Sequence, residues 1–370
     1  MIEPYMALGL SPTMRGVRNR SEIKNNISHI GEIIAAAVWL SEIELPVKLI
    51  AIPEGSLQGF TDEVFDWDHV KYVQDVAIDI PGEETDLLGA YAKQYKTYII
   101  GQAKAREPDI PERFTNNAFV IDPKGKLILR HRKNNVFPKE HSTCPHDVWD
   151  KWTELYGRDL KSFYPVADTE IGKIGCLICN EGVHPENARG LAMNGAEIIY
   201  RPSYPEPYVA NESWEIQNRA RALDNNCYVL APNTGTYYLT SESKTPIDTF
   251  GGKSLIIDYE GRVISRHDYG SGSSWCGAVV DIEALRYFRT HSDWMSWMKD
   301  MRNELFQLIY EKPICPKNLW IDRPPMKHAE YREKVIKPQI QKLVASGIYK
   351  EPERAIPTEK KQEKPKISTT

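Results

Sequence analysis

The sequence lacks the features that mark membrane, nucleic-acid-binding and disulfide-rich proteins. No apolar run approaches the roughly 18 residues that a membrane-spanning helix needs, and the N-terminus has no signal-peptide core. The net charge is only −4, so a nucleic acid is not an expected partner. Six cysteines among 370 residues are too few for a disulfide framework. We therefore expect a soluble, cytoplasmic protein with no membrane or nucleic-acid partner.

Helical and extended patterns alternate along much of the chain. Residues 22–41 place Ile23, Ile27 and Ile30 at steps of three or four, which is typical of an amphipathic helix. The next segment, Val47 to Ile52, is an apolar run of strand length. This alternation indicates an α/β fold built in layers. Further helices are predicted at 85–96, 187–194 and 213–225, and the strands after them at 98–103, 197–201 and 227–232.

One segment of the sequence is repeated. Residues 118–131 match residues 254–267 without a gap, and each copy has a strand, an Asp-x-x-Gly turn and a second strand. Two equivalent hairpins favour a pseudo-symmetric core of two similar sheets packed face to face, although two ordinary hairpins could also share a common turn. The copies differ in the residues that come after them. The first runs into Lys133 and the second into Asp268, so only one half carries the lysine.

The character of the sequence changes near residue 310. We expect residues 1–310 to form the main domain and residues 311–350 to form an extension, broken by prolines, that packs on a neighbouring subunit. One helix is predicted at 330–344 within it. Residues 351–370 hold many Lys, Glu and Pro residues and little to bury, which predicts a flexible tail or an arm that orders against another subunit.

Cys179 differs from the other cysteines in its position. The segment Gly172-Lys-Ile-Gly-Cys-Leu-Ile178 reads as a strand, and a helical pattern begins at Asn187. Cys179 therefore falls where a strand ends and the chain turns, which is the usual place for active sites in α/β proteins. Its polar neighbours favour a partly exposed thiol whose thiolate a backbone N–H or a cation could stabilise.

Other roles for Cys179 are possible but weaker. A redox pair with Cys176 is disfavoured because positions three apart on a strand point to opposite faces. A zinc site with Cys176 and His184 lacks a second pair of ligands at a suitable spacing. A purely structural cysteine is the third alternative.

Glu54 and Lys133 also come directly after predicted strands. Taken alone, Glu54 is as readily a surface helix cap as a site residue, and Lys133 could belong to a solvated basic patch. If both meet Cys179 at the same edge of a layered sheet, the three side chains have complementary chemistry. The carboxylate can take the thiol proton, the lysine can stabilise negative charge on a carbonyl-derived atom, and the thiol can form a covalent intermediate.

These segments resemble the nitrilase, or carbon–nitrogen hydrolase, superfamily. The resemblance runs from about residue 5 to about residue 285, and it implies an αββα sandwich, a Glu54–Lys133–Cys179 triad and homo-oligomers built on a dimer. The matching segments are Ile52-Pro-Glu-Gly-Ser-Leu-Gln-Gly59, Arg130-His-Arg-Lys133, 172–181, 194–201 and 225–233.

Within the superfamily, the sequence is most similar to aliphatic amidases and formamidases. These enzymes have a second glutamate after the lysine, and Glu140 is the matching residue here. Asn180 and Glu181 are expected to support the oxyanion and the loop after the nucleophile. The insertion at 141–163 is expected to form a lid or rim, and the predicted pocket residues are Tyr204, Tyr208 and Trp149.

The resemblance implies hydrolysis of an amide to a carboxylate and ammonia through a Cys179 thioester. Neither a metal nor an organic cofactor is expected. The motif His131-Arg-Lys-Asn134 is also similar to that of carbamoyl-amide hydrolases, so the substrate could be an amide, a ureido compound or a nitrile. A catalytically silent scaffold is the alternative from another class, and the intact triad argues against it.

Overall fold

Two six-stranded sheets form the centre of the molecule. The computed structural model describes residues 1–43, 45–203, 212–247, 252–268 and 272–354. The strands are β1 (Tyr5–Ser11), β2 (Met14–Arg15), β3 (Val47–Ala51), β4 (Tyr98–Arg106), β5 (Phe114–Ile121), β6 (Leu127–Arg132), β7 (Val166–Thr169), β8 (Gly172–Cys176), β9 (Ile198–Tyr200), β10 (Tyr228–Ala231), β11 (Tyr237–Tyr238), β12 (Leu255–Ile257), β13 (Val263–Arg266) and β14 (Ser274–Val280).

The two sheets have the same topology. The first has the order β14-β1-β3-β4-β5-β6 and the second has the order β7-β8-β9-β10-β12-β13, while β2 and β11 form a separate small pair. In both sheets, three neighbouring parallel strands have one antiparallel strand on one side and an antiparallel hairpin on the other. The two repeated segments become the equivalent hairpins β5–β6 and β12–β13. The prediction of a pseudo-symmetric core from the sequence repeat is therefore confirmed.

The sheets pack face to face through alternate residues of their strands. In β3, Leu49 and Ala51 face the other sheet, whereas Ile50 faces the outer helices. In β9, Ile198 and Tyr200 face inward and Ile199 faces outward. Since successive residues of a strand point to opposite faces, each continuous apolar run supplies two layers of core at once. This explains why these strands read as unbroken hydrophobic segments.

Helices cover the outer face of each sheet. Helices α1 and α4 pack on the first sheet, and α7 and α8 pack on the second. The predicted αββα sandwich is confirmed. No helix in the described ranges is long and apolar enough to cross a membrane. The helices are α1 (Ile23–Ser41), α2 (Thr61–Val64), α3 (His69–Asp75), α4 (Glu83–Tyr95), α5 (Trp149–Tyr156), α6 (Leu160–Phe163), α7 (Pro185–Met193), α8 (Ser213–Asn225), α9 (Ile282–His291), α10 (Asn303–Ile309), α11 (His328–Tyr331) and α12 (Lys337–Ala345).

The insertion and the C-terminal extension pack against each other. The insertion forms a 3-10 turn, Pro145–Val148, and then α5 and α6. Asn318 and Trp320 of the extension donate backbone hydrogen bonds to the carbonyls of His146 and Asp147, and the indole of Trp320 is buried. The extension therefore contacts the main domain of its own chain. Packing on a neighbouring subunit stays a prediction, and tail residues 355–370 lie outside the described residues.

The helix predicted at 330–344 has an irregular centre. A π-helical turn, Arg332–Ile336, joins α11 to α12, and Pro338 lies in the first turn of α12. Proline has no N–H to donate to the preceding turn, and the π-helical turn lies directly before it.

Candidate active site

Four neighbouring strands of the first sheet present polar side chains at one edge. Glu54 lies just beyond β3 and Lys133 just beyond β6, while Gln102 of β4 and Asn116 of β5 lie between them. All four side chains are buried. Cys179 lies beyond β8 of the second sheet. The predicted residues thus come from both sheets, and the expectation that one sheet edge carries all three needs this correction.

Hydrogen bonds connect these residues into one network. Lys133 Nζ donates to Glu54 Oε1 at 3.1 Å and to Glu140 Oε2 at 2.6 Å. Asn116 Nδ2 donates to Oε1 of both glutamates, at 2.9 Å each. Gln102 Nε2 in turn donates to Asn116 Oδ1 at 2.6 Å, which fixes the orientation of the amide. Each carboxylate therefore accepts from the charged lysine and from the neutral amide of Asn116.

Electrostatics keep the lysine and the second glutamate ionised. Burial by itself lowers the pKa of Lys133, but the charges of Glu140 and Glu54 outweigh it, so this pKa lies well above its usual value. Burial raises the pKa of Glu140, but Lys133 and, behind it, Lys104 outweigh burial and lower it to about 2. Glu140 also accepts a hydrogen bond from the hydroxyl of Ser142. Lys133 and Glu140 are thus a permanent ion pair at neutral pH.

Cys179 has a strained backbone that its neighbours hold in place. Its φ is +44°, in the left-handed region that residues with a side chain avoid, at the start of a 3-10 turn, Cys179–Val183. Its N–H donates to the carbonyl of Pro202 at 2.8 Å, and its carbonyl accepts from Arg201 Nη2 at 3.2 Å. A Cβ atom added at Gly182 would lie 1.9 Å from Nε of Arg201, so only glycine fits at this position. Such strain persists only where the surroundings impose it.

The thiol of Cys179 is half-buried and protonated at neutral pH. Burial and the negative charge of Glu54 raise its pKa to about 12, against the opposing charge of Lys133. The hydroxyl of Ser203 donates to Sγ at 3.5 Å. A neutral thiol in this position needs a base to remove its proton as it attacks, and the nearby carboxylate of Glu54 can act as that base.

Glu181 stabilises the 3-10 turn that begins at Cys179. Its buried carboxylate accepts from the N–H of Ile178 at 2.6 Å, from the N–H of Asn134 at 2.7 Å, and contacts Nε2 of His131 at 3.0 Å. The loop after β6 and the loop after β8 are thereby joined. Asn180 donates from its side chain to the carbonyl of Val136 at 3.3 Å.

Of the three predicted pocket residues, the structure describes only Trp149, which lies away from the Glu54–Cys179 network. Trp149 stacks on Phe163, with ring centroids 5.2 Å apart. It lines a cavity of about 760 Å³ between the insertion and the extension, whose described lining contains none of the residues of the Glu54–Cys179 network. Tyr204 and Tyr208 lie outside the described residues. Cys176, the other half of the considered redox pair, is buried between the two sheets, and all six cysteines are free.

Sequence reasoning missed Asn116, Gln102 and Ser203. The first two lie in buried stretches of β4 and β5, and a polar residue inside a buried strand is the signal that could have found them. Ser203 comes after β9 just as Cys179 comes after β8, so its position beyond a parallel strand was a second available signal.

A second buried lysine lies near the first. Lys104 Nζ donates at 2.7 Å to both carboxylate oxygens of Asp62 and to Oε1 of Glu63. It also lies 5.1 Å from the ring centre of Phe60. Burial raises the pKa of Glu63 to about 8, against the attraction of Lys104. We call Lys104, Asp62 and Glu63 the Lys104 cluster.

Comparisons with known proteins identify the family of this chain. The sequence model of the carbon-nitrogen hydrolase family matches residues 10–282. A formamidase of Bacillus cereus (strain Q1) is 30% identical over 265 residues, which cover 69% of this chain and 71% of that protein. A formamidase of Bacillus thuringiensis (strain Al Hakam) is 30% identical over 246 residues, or 65% of this chain and 66% of that protein. The chain belongs to the carbon–nitrogen hydrolase family.

Solved structures share the fold at lower identity. Nit3 of Saccharomyces cerevisiae, a member of the nitrilase superfamily, has a TM-score of 0.61 at 21% identity and covers 79% of this chain and 95% of its own. A Glu-to-Gln variant of the amidase from Nesterenkonia sp. AN1 was solved with the acetamide moiety of fluoroacetamide on its active-site cysteine. It has a TM-score of 0.59 at 15% identity, and the match covers 82% of this chain and 96% of the amidase chain. The predicted membership of the nitrilase superfamily, on its amidase side, is confirmed. So is the prediction of an amidase-type hydrolase.

Proposed function

We propose that this protein hydrolyses a small primary amide to a carboxylate and ammonia, with Cys179 as nucleophile. The observation that carries this proposal is the hydrogen-bonded set of Glu54, Lys133 and Glu140 beside a thiol on a strained turn. The formamidases that share 30% identity with the chain support an amide as substrate. Small-molecule amides also suit the hydrolase family.

The first half of the reaction forms a thioester. Glu54 takes the thiol proton while Sγ of Cys179 attacks the amide carbonyl. Lys133 and the N–H of Asn180, in the first turn of a helix where N–H groups lack intrahelical partners, stabilise the oxyanion. Glu54 then gives its proton to the nitrogen, the carbon–nitrogen bond breaks, and ammonia leaves.

The second half hydrolyses the thioester. Glu54 takes a proton from water, the resulting hydroxide attacks the carbonyl, and the thiolate leaves and regains its proton from Glu54. Glu140 does not exchange protons in this scheme because its pKa of about 2 keeps it ionised. Its role is to hold Lys133 charged and in place. Asn116 donates to both Glu54 and Glu140, and Glu140 holds Lys133. The separation between Glu54 and Lys133 is therefore fixed.

Ammonia release from a substrate panel tests the proposal. The panel contains formamide, longer aliphatic amides, ureido acids and nitriles, each with the wild-type enzyme and with Cys179→Ala. We expect release from amides and a loss of at least about three orders of magnitude in Cys179→Ala, since the covalent route is removed. Brief incubation with an amide and then an acid quench should add an acyl mass to the peptide that contains Cys179.

The matched control is Cys315→Ala, which changes an exposed cysteine of the extension and should keep full activity. Amide hydrolysis that survives in folded Cys179→Ala would contradict the nucleophile. Release from nitriles alone would reassign the substrate to a nitrile, and carbon dioxide accompanying ammonia from ureido acids alone would reassign it to a carbamoyl amide.

We further propose the arrangement of the chain and its assembly. Residues 1–310 form the hydrolase domain, residues 311–350 form an extension, and the enzyme is a homo-oligomer built on a dimer. Sedimentation velocity of the full chain tests the oligomer, and a monomer at all concentrations would contradict it.

A further inference from the structure

Two histidines and an aspartate from distant parts of the chain meet beside Glu140. Asp66 lies in the loop between α2 and α3, His141 is the residue directly after Glu140, and His328 begins α11 in the C-terminal extension. One ligand atom from each of these three residues lies within 4.8 Å of the other two. None of them takes part in the proposed amide hydrolysis.

His141 is the buried member of the group and is held rigidly. Its side chain is 2% exposed, and its backbone carbonyl accepts a hydrogen bond from His69 at 2.8 Å. Nε2 of His141 lies 3.0 Å from Oδ1 of Asp66, yet neither ring nitrogen makes a well-directed hydrogen bond within the described part of the chain. A buried imidazole without such a bond is costly, and a ligand would satisfy it.

Asp66 faces both histidines from the surface side. Its Oδ1 lies 3.6 Å from Nε2 of His328 and accepts a hydrogen bond from the backbone N–H of the same residue at 3.2 Å. Nε2 of His328 also lies 2.8 Å from the carbonyl of Lys139, a bond that metal ligation through that nitrogen would replace. Asp66 and His328 are partly exposed, so an ion can reach the group from solvent.

We propose that Asp66, His141 and His328 bind a divalent transition metal, with Zn²⁺ as the expected ion. Ligand atoms about 2.1 Å from a tetrahedral metal are about 3.4 Å apart. Oδ1 of Asp66 lies 3.0 Å from Nε2 of His141 and 3.6 Å from Nε2 of His328, on either side of that value. Two imidazoles and one carboxylate suit Zn²⁺ and exclude Mg²⁺ and Ca²⁺, which prefer oxygen ligands throughout. Water would complete the coordination.

A metal in this position would join the extension to the catalytic domain. His328 belongs to the extension, Asp66 to the main domain, and His141 is the covalent neighbour of the glutamate that holds Lys133. The site would therefore fix the extension against the main domain and restrain the segment that carries Glu140. This role is separate from the amide chemistry, so its test does not depend on the proposed substrate.

Metal titration of the full-length chain tests the site. Protein stripped with a chelator is titrated with Zn²⁺ by calorimetry and with Co²⁺ by visible absorption, because Co²⁺ distinguishes nitrogen and oxygen ligands from thiolates. We expect one bound equivalent with the spectrum of a nitrogen–oxygen site, and no binding of Mg²⁺. Affinity for Zn²⁺ should fall at least tenfold in His328→Ala and in Asp66→Asn.

The two variants are chosen so that the fold survives. His328 is partly exposed, and asparagine tolerates the positive φ of +50° at Asp66 as well as aspartate does. His291→Ala, an exposed histidine outside the group, is the matched control and should bind like wild type. Wild-type protein that binds no equivalent, or His328→Ala that binds as tightly as wild type, would overturn the proposal. A thiolate charge-transfer band for the bound equivalent would do the same.

Discussion

Two buried lysines lie close together in this molecule, and only one belongs to the proposed catalytic site. Lys133 and Lys104 are each 1% exposed, and each donates to two acidic residues at 2.6–3.1 Å. Lys133 points to the edge where Cys179 enters from the second sheet. Lys104 instead lies over the ring of Phe60 and near that of Tyr72. A lysine held by two carboxylates is thus not a catalytic signature by itself.

The two clusters differ in the state of their acids. Glu140 beside Lys133 has its pKa lowered to about 2, whereas Glu63 beside Lys104 has its pKa raised to about 8. Burial raises the pKa of both glutamates, but the attraction of Lys133 and Lys104 outweighs it at Glu140, whereas burial outweighs the attraction of Lys104 at Glu63. The first cluster therefore keeps its negative charge at neutral pH and holds a cation where an oxyanion would form. The Lys104 cluster holds one proton more and serves the packing of the α2 region.

Replacing the two lysines in turn should separate these roles, and the largest effect is expected at Lys133. Lys133→Met removes a donor to the oxyanion, so we expect turnover to fall by about two to three orders of magnitude. The measurement is steady-state ammonia release at a temperature where circular dichroism shows the variant to be folded. A loss below tenfold would show that Lys133 does not stabilise the transition state.

The matched change, Lys104→Met, should act on stability. It leaves Asp62 buried without its cation, and we expect the free energy of unfolding to fall by about 3–5 kcal/mol in urea titrations. Activity of the folded enzyme should stay within tenfold of wild type. The double variant Lys104→Met with Asp62→Asn should recover most of the stability, because it removes the unpaired charge as well. Equal losses in the single and double variants would show that packing, not charge, is responsible.

The two clusters should also differ in how they respond to pH, and the change in the free energy of unfolding per pH unit is the smallest of these effects. A glutamate whose pKa is raised on folding favours the folded state at low pH, so the contribution of Glu63 falls as pH rises from about 4.5 to about 8. Glu140 has a lowered pKa, and its contribution is lost as pH falls from about 4.5 to about 2. One proton can change the free energy of unfolding by at most about 1.4 kcal/mol per pH unit.

Urea titrations at a series of pH values should test this. The free energy of unfolding should fall less steeply toward pH 8 in Glu63→Gln than in wild type. Glu32→Gln, an exposed control, should reproduce the wild-type profile. A Glu63→Gln profile that matches wild type would show that Glu63 is ionised in the folded protein at neutral pH.

The layered fold could be predicted because two simple patterns carry it. Apolar runs of strand length alternate with amphipathic segments, and the repeat at 118–131 and 254–267 gives the hairpins of both sheets. The strand-end positions of Glu54, Lys133 and Cys179 result from the same patterns. The predicted strand before Cys179 was two residues too long, since β8 ends at Cys176 and the apolar residues 177 and 178 are buried outside it.

The inner network could not be predicted in the same way. Asn116 and Gln102 bridge strands that are distant in sequence, and their partners depend on the order of strands in the sheet. The Lys104 cluster runs against the general rule that charged side chains stay exposed, so the sequence alone reads Lys104 as a surface residue. Trp149 lies with the extension because it lines a cavity between the insertion and the extension whose described lining includes none of the three triad residues.

The division of the site between two sheets also concerns how the protein folds. Lys133 and Glu54 are 79 positions apart, and the hydroxyl of Tyr200 in β9 donates across the sheets to the carbonyl of Ile52, 148 positions away. Contacts between such distant segments carry a large loop-closure cost and slow folding. A chain with both sheets formed but not yet docked has Cys179, the proposed nucleophile, and Glu54, the proposed base, in separate halves. Regain of amide hydrolysis during refolding would therefore report the docking of the two sheets, after most secondary structure has returned.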